Sequence, residues 1–183
     1  TKSEDYSEMK STARPGHADF TAEEKYHGYQ DYRGGGHFSG RVTAALVAAG
    51  AIARLALKEK GIEIGTHVAK CGGICDRNFE NTTEDIRALN EKYFAVLDEN
   101  VCNEMQAKIL EASENGDSIG GITETAVTGL PAGLGEPWFD SMESVLSHML
   151  FSIPGIKGVE FGAGFAVTEI NGSEVNGSLR IKD

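Results

Sequence analysis

Residues 14–41 read RPGHADFTAEEKYHGYQDYRGGGHFSGR, and a glycine triplet, Gly34-Gly35-Gly36, lies in this stretch shortly before a long helical pattern. Successive glycines let the backbone approach a ligand closely. The free amide groups at the start of a helix favour negative charge. The spacing fits neither the phosphate-binding loop that ends in Gly-Lys-Ser/Thr nor the Gly-x-Gly-x-x-Gly motif. The triplet therefore indicates either an anion cradle or an ordinary glycine turn before a helix.

Arginines flank the triplet, at Arg14, Arg33 and Arg41. A planar guanidinium group suits carboxylates and phosphates because it donates two parallel, charge-assisted hydrogen bonds. Together the arginines predict a site for a polyanionic ligand. The alternative is that each arginine pairs with a nearby carboxylate, at Asp19, Glu23 or Asp31.

Five histidines could exchange protons near neutral pH. His17 and His37 stand out because they lie beside the arginines and the glycine triplet. His67 lies in a strand pattern and His148 on an amphipathic helix, so both are predicted to be packing or surface residues. The role of His27 stays open.

The composition is that of a folded protein of ordinary size. The chain has 183 residues, 40% hydrophobic and 25% charged, which predicts one domain with a real core. The net charge of −11 makes nucleic acid and membrane partners unfavourable, although a local arginine cluster can still bind an anion.

The cysteines and the polar opening of the chain favour a reducing, cytoplasmic location. The cysteines are Cys71, Cys75 and Cys102, an odd number, and the first two are separated by three residues rather than two. We therefore predict no metal site and reduced thiols. No signal-peptide core or stretch of about twenty apolar residues is apparent.

The first half of the chain predicts irregular structure followed by helices and a strand. Residues 1–40 lack a sustained period and predict loops with short extended pieces. Residues 42–60 predict a helix that Ser39 could cap, and its alanine-rich surface predicts deep burial. Residues 62–70 alternate like a strand. Two more helices are predicted, one starting near Thr82 or Thr83 and one over 99–114.

The second half predicts a strand, a loop and an amphipathic helix in turn. Residues 118–130 are rich in β-branched side chains and predict a strand, and 130–137 predict a loop. Residues 138–153 have the helical period. Residues 159–170 predict a strand pair or one bent strand, and the Asn-Gly pairs at 171–172 and 176–177 predict hairpin turns. Because there is no regular βαβ alternation, the fold class is predicted to be α+β.

Several blocks of this sequence resemble one enzyme family. RPGHAD at 14–19, DYRGGGHFSGR at 31–41 and VAAGAIA at 47–53 are similar to the signature of the chorismate synthases. A second group follows in the family's order: GDSIGG at 116–121, GLPAGLGEPWFD at 129–140 and GIKGVEFGAGF at 155–165. Residues 66–115 are divergent.

The resemblance implies an activity and the residues that carry it. Chorismate synthases convert 5-enolpyruvylshikimate 3-phosphate to chorismate by a 1,4-anti elimination of phosphate and require reduced FMN. The resemblance gives His17 the role of a general acid beside the flavin, and Arg14 and Arg41 the binding of substrate anions. Contacts to FMN are implied for His37, Phe38 and Ser39, with Arg33 as a weaker addition. Many members have Arg-Ser-Ser where this chain has His-Phe-Ser at 37–39.

The resemblance also implies the fold and its context. The family fold is a β-α-β sandwich of helices between antiparallel sheets, usually assembled as a homotetramer. Family members carry an N-terminal Gly-Glu-Ser-His-Gly segment and a C-terminal Arg-His-Asp-Pro region that this sequence lacks. Residues 1–183 are therefore expected to be a single core domain truncated at both ends, inactive in isolation. The alternative is a non-catalytic module that binds flavin or serves as an assembly core.

Overall fold

The structure is a computed structural model that describes residues 3–176. The chain forms two compact units, one of Thr1–Leu46 with Gly133–Asp183 and the other of Val47–Ala132. Its α-helices are α1 Asp19–Tyr26, α2 Thr43–Lys58, α3 Thr82–Leu89, α4 Glu99–Glu114, α5 Met142–Phe151 and α6 Gly172–Val175. Its strands are β1 Glu63–Cys71, β2 Ile74–Cys75 and β3 Gly121–Thr128.

The second unit is built on one antiparallel sheet with the strand order β2-β1-β3. Gly72 and Gly73 join β1 to β2 and have φ values of +57° and +87°. A two-residue hairpin turn of this kind needs positive φ at both central positions, which glycine adopts without strain. The long pairing in this sheet runs between β1 and β3, from Glu63 opposite Thr128 to Cys71 opposite Gly121.

Helices α3 and α4 supply much of the core of this unit. Helix α3 packs on β1 at Gly65, where a Cβ atom would lie only 2.9 Å from the Cα of Ile86. Ile86 is fully buried, and so are Val96 and Met105. Asp98 caps α4 by accepting a hydrogen bond from the backbone N–H of Asn100 at 2.9 Å. The strand predicted over residues 62–70 and the helix predicted over residues 99–114 are both confirmed.

A buried histidine ties the two long strands of the sheet to the segment that follows β2. His67 on β1 lies with Nδ1 2.7 Å from Asp76 Oδ2 and Nε2 2.8 Å from Glu124 Oε2 on β3. Burial alone would raise the pKa of Asp76, but the backbone N–H groups of Leu97 and Asp98, with His67, bring it below its ordinary value. His67 is thus a packing residue, as predicted.

Helix α2 does not have the deep burial that its alanine-rich surface predicts. Leu46, Val47, Ile52 and Leu55 are between 52% and 71% exposed. In the described part of the chain, no residue of α2 is buried. The stretch Gly40–Lys58 is also long and apolar enough, by length and composition alone, to cross a membrane.

The first unit contains mainly helices and turns. Helix α1 falls where the sequence predicted only loops and extended pieces. Helix α5 begins later than predicted, because Ser141 caps it and residues 138–140 form a separate 3-10 turn. The strand predicted over 159–170 is wrong, since part of it forms a 3-10 helix, Gly164–Glu169.

The first Asn-Gly pair does not form a hairpin turn either. Asn171 instead caps α6 in a capping box with Glu174. The second pair, at 176–177, extends beyond the described residues. Helices with an antiparallel sheet confirm the α+β class; of the two sheets in the expected sandwich, one lies within residues 3–176.

Candidate functional site

A tight turn brings Arg14 and His17 together. The backbone N–H of His17 donates to the carbonyl of Arg14 at 3.3 Å, with Pro15 and Gly16 between them. Proline presets the first central position of such a turn, and Gly16 has the left-handed φ of +71° that the second requires. The sequence Arg-Pro-Gly-His therefore encodes a four-residue reversal with the side chains of Arg14 and His17 at its two ends.

Asp19, the first residue of α1, holds both of these side chains. Its carboxylate accepts from Arg14 Nε at 2.7 Å and Arg14 Nη2 at 2.9 Å, and also from the Arg14 backbone N–H at 3.0 Å. His17 Nδ1 lies 2.6 Å from Asp19 Oδ1. Arg14 Nη2 also lies 3.2 Å from Nδ1 and 3.3 Å from Nε2 of the same ring.

The electrostatics of this cluster fix the charge of Asp19. The hydrogen bond from Arg14 is the main reason that the pKa of Asp19 lies well below its ordinary value. Asp19 in turn raises the pKa of Arg14. The side chain of Asp19 is only 16% exposed, so little water competes for its oxygens. Asp19 is therefore a carboxylate, and a hydrogen-bond acceptor only, at physiological pH.

The glycine triplet lies directly against His17. Gly35 is buried, with φ of +84°, and a Cβ atom there would lie 3.0 Å from His17 Nε2 and 3.6 Å from Arg14 Nη2. Gly36 is similarly constrained, because a Cβ would lie 2.4 Å from the carbonyl oxygen of Asp31. The triplet thus allows a backbone approach to the imidazole that a side chain would block.

Arg41 lies over the neighbouring glycine. Its Nη2 donates to the carbonyl of Gly34 at 2.9 Å, and its Nε donates to Ser39 Oγ at 3.2 Å. Within residues 3–176 it has no carboxylate partner in a salt bridge. Ser39 Oγ also accepts from the backbone N–H of Arg41. Ser39 therefore caps the 3-10 turn Gly40–Val42 that leads into α2, whereas the sequence predicted it as the cap of the long helix itself.

His37 and Phe38 form an aromatic group with Tyr26. The His37 and Phe38 ring centroids are 4.3 Å apart, and Tyr26 meets His37 edge-on at 5.4 Å. His37 is exposed and Phe38 half-buried. Such rings offer apolar faces to a planar ligand, while the Ser39 hydroxyl keeps its own proton available to donate.

The structure brings together some of the predicted residues and separates others. Arg14 and His17 meet at Gly35, while Arg41 and Ser39 meet at Gly34. Arg33 instead forms a surface ion pair with Asp31, with 2.8 Å between Nε and Oδ1. This agrees with the alternative prediction that the arginines pair with nearby carboxylates.

The other histidines lie outside this cluster. His27 ends α1 in a left-handed conformation and is exposed. His148 is exposed on α5, and His67 is buried in the sheet of the second unit.

Sequence reasoning missed what Asp19 does. It weighed Asp19 only as a salt-bridge partner of an arginine, whereas the same carboxylate also binds His17. The sequence does contain a signal for this contact. The Pro-Gly pair predicts a chain reversal, which returns Arg14 toward the start of α1, where Asp19 lies.

Taken together, these groups form a candidate anion-binding site. Guanidinium groups at Arg14 and Arg41 supply positive charge, the glycine triplet supplies accessible backbone, and His17 supplies a group that can exchange a proton. The donor set, with the rings at 37–38 and the hydroxyl of Ser39, suits a planar anionic ligand. No cluster of three or more metal-ligating side chains occurs in the described part of the chain.

Comparison with known proteins identifies the class to which this site belongs. The family model described as "Chorismate synthase" matches residues 1–182. The chain therefore belongs to the chorismate synthase family.

Relatives and a solved structure agree with that assignment. "Chorismate synthase" of Dehalococcoides mccartyi is 45% identical over 98% of this chain and 49% of its own length. "Chorismate synthase" of Thermococcus kodakarensis is 40% identical over 97% of this chain and 49% of its own length. The structure titled "Crystal Structure of Chorismate Synthase" matches with a TM-score of 0.74 and 28% identity, covering 85% of this chain and 50% of that one. The chain thus spans about half the length of the curated relatives that it matches.

Proposed function

We propose that this chain is the core of a chorismate synthase, truncated at both ends, and that the two compact units belong to one core domain of that enzyme. The enzyme converts 5-enolpyruvylshikimate 3-phosphate to chorismate by 1,4-anti elimination of phosphate, with reduced FMN as cofactor. One observation carries the proposal beyond family membership: His17 and Arg14 meet at the bare backbone of Gly35, beside Arg41 at Gly34. A phosphorylated dicarboxylate and a flavin phosphate are both anions that such a site suits.

We assign each role from the hydrogen-bonding atoms that the side chain has without a partner in the described structure. His17 is the general acid. Arg41 is the first anchor for a substrate anion, because in the described structure none of its nitrogens meets a carboxylate. Arg14 is the second anchor through Nη1, since Asp19 occupies its Nε and Nη2.

The flavin site includes His37, Phe38 and Ser39. Reduced FMN supplies electron density to the reaction without net redox change. The protein residues hold the flavin beside His17, orient the imidazole that gives up its proton, and fix the substrate anions. Aromatic rings and a free hydroxyl donor at 37–39 support this assignment.

Assembly and location follow from the same proposal. The intact enzyme is a cytoplasmic homo-oligomer, a tetramer as in the family, and it binds neither nucleic acid nor membranes. The net charge of −11 supports the last point. Helix α2 carries Arg54 and Lys58 within its apolar stretch and is rich in alanine, a composition that suits close packing against protein more than contact with lipid. Failure of the chain to co-sediment with anionic or neutral vesicles would support this, and firm binding to either would contradict it.

The proposed truncation has a direct test. Purified chain incubated anaerobically with 5-enolpyruvylshikimate 3-phosphate and reduced FMN is expected to form no chorismate, whereas the protein of the complete reading frame is expected to form it. Turnover by the isolated chain at the rate of the complete protein would contradict the truncation. No turnover by either would contradict the proposed activity.

The second candidate, a flavin-binding or assembly module without chemistry, is kept because the chain matches only half of its relatives' length. Flavin titration of the isolated chain separates the possibilities. Weak FMN binding that is lost on His17→Gln or Ser39→Ala favours a half-formed site. Absence of binding at millimolar FMN favours an assembly core, because a ligand contacted by few of its residues loses much of its affinity.

A further inference from the structure

We propose that Asp19 is a positioning residue for His17: it keeps the imidazole proton on Nδ1 and leaves Nε2 as the atom that takes up and delivers a proton. The delivery of that proton rests on the proposed function above. The tautomer does not, because it follows from contacts within residues 14–19 and can be measured without substrate or flavin.

The contact between Asp19 and His17 selects the donor. Asp19 is ionised and has only lone pairs to offer, so the group that meets Oδ1 at 2.6 Å has to donate a proton. That group is Nδ1. The short distance is typical of a charge-assisted hydrogen bond.

The contact with Arg14 accommodates a lone pair on Nε2. A guanidinium group has donors and no acceptor, so the ring nitrogen that faces it without another partner does best with a free lone pair. Arg14 Nη2 lies 3.2 Å from Nδ1 and 3.3 Å from Nε2 of His17, and the proton on Nδ1 is already directed at Asp19. The lone pair left to face Arg14 is therefore that of Nε2, so the contact with Arg14 is compatible with the tautomer that Asp19 selects.

The carboxylate is itself fixed in place. Asp19 accepts three hydrogen bonds from Arg14, from the backbone N–H and from two guanidinium nitrogens. Its Cα is anchored at the first residue of α1. Asp19 cannot rotate away without giving up all three bonds, so it fixes the plane of the imidazole as well as its tautomer.

The backbone of Gly35 borders Nε2 without a side chain. Gly35 lies where a side chain would crowd Nε2, with a hypothetical Cβ at 3.0 Å. When His17 acts as an acid, the Nε2–H bond breaks and the proton passes to the acceptor. The bonding pair stays on Nε2, the ring loses its positive charge, and the Nδ1–H bond to Asp19 is unchanged.

The ring nitrogens of His17 can be observed directly by long-range ¹H–¹⁵N correlation NMR on the 183-residue chain. The His17 signals are assigned as those that disappear from the spectrum of the His17→Gln variant. At a pH where His17 is neutral, the expected result is a protonated Nδ1 and an unprotonated Nε2. A proton on Nε2, or an even mixture of tautomers, would overturn the proposal, whether or not the complete protein makes chorismate.

Two substitutions separate positioning from a merely structural role. Asp19→Asn keeps the shape but can donate to Nδ1, so it is expected to move the proton to Nε2. Asp31→Asn is the matched control, because it removes the equivalent carboxylate from Arg33, whose hydrogen bonds among residues 3–176 go to Asp31, and it is expected to leave the tautomer unchanged. If Asp19→Asn loses the dispersed spectrum of the fold, the wild-type tautomer still decides the matter.

The complete protein supplies a second readout. Asp19→Asn is expected to lower kcat by about 10²-fold or more, the scale of general acid catalysis, while KM for the substrate changes less than the kcat does. Restoration of much of the kcat by Asp19→Glu would support positioning by a carboxylate. A rise in KM with unchanged kcat would assign Asp19 to ligand binding through Arg14 and would overturn the positioning role.

Discussion

Gly35 lies against the imidazole of His17, so that a Cβ atom on residue 35 would be 3.0 Å from Nε2. Gly35→Ala is therefore expected to do two things. It destabilises the chain by about 1–2 kcal/mol, because an L-residue is strained at the left-handed φ of +84°, and it displaces the His17 ring. Urea unfolding followed by circular dichroism measures the first effect, and the His17 NMR signals report the second.

The matched control for that substitution is Gly40→Ala. No atom lies within 4 Å of a Cβ built there, and its φ is outside the left-handed region. It is expected to leave both the unfolding free energy and the His17 signals nearly unchanged. Equal effects of the two substitutions would contradict the close packing of Gly35 on the imidazole.

Arg41 and Arg33 give a matched pair for anion binding. Arg41 lies at Gly34 without a carboxylate partner among residues 3–176, whereas Arg33 is paired with Asp31. Arg41→Ala is expected to raise KM for 5-enolpyruvylshikimate 3-phosphate in the complete protein by about tenfold or more, the scale of one charged hydrogen bond. Arg33→Ala is expected to change KM much less, and the reverse order would contradict the assignment of Arg41.

How much of this site the sequence could predict depends on whether the contacts are local. The glycine triplet, the arginines and His17 were found from residue type and spacing. The bond between His17 and Asp19 was missed, since a carboxylate near an arginine is ordinarily only an ion pair. Helix α1 was missed because its apolar pattern is weak and only Ala22 is buried.

The fold shows the same division between local and distant causes. The helix over 99–114 was predicted correctly because its cap and its stop are adjacent in sequence. The partners of His67 are not predictable from spacing, since Glu124 lies 57 residues away on β3. The exposure of α2 was not predictable, because the burial of a helix depends on which other elements pack against it and not on its alanine content.

The pair of Arg77 and Asp85 predicts acid sensitivity of the second unit. The hydrogen bond from Arg77 is the main cause that lowers the pKa of Asp85 to about 2. A carboxyl whose folded pKa is depressed stabilises the protein above its unfolded pKa, and that stability is lost as the pH falls through the folded value. The free energy of unfolding is expected to fall more steeply between about pH 4 and pH 2 in the wild type than in Asp85→Asn.

A double-mutant cycle checks the cause of that sensitivity. If the Arg77 hydrogen bond is responsible, Arg77→Gln should flatten the acid limb as Asp85→Asn does, and the double variant should lose little more. Additive losses would show that the two side chains act independently.

His67 predicts a large effect on stability that has nothing to do with catalysis. It is 1% exposed and bridges Asp76 and Glu124. His67→Ala is expected to cost about 2–4 kcal/mol, since it leaves a cavity in the sheet and removes the hydrogen bond to the buried Asp76 carboxylate. His148→Ala, at an exposed position on α5, is expected to cost less than about 0.5 kcal/mol. Similar unfolding midpoints in urea for both variants would contradict the role of His67.

The central claim is that His17 is the acid of a chorismate synthase site, and the most direct test is chorismate formation by the complete protein with and without His17→Gln. Under anaerobic conditions, with reduced FMN and 5-enolpyruvylshikimate 3-phosphate, the wild type is expected to turn over and the variant to lose about 10²-fold or more in kcat. A variant that turns over at the wild-type rate would contradict the claim.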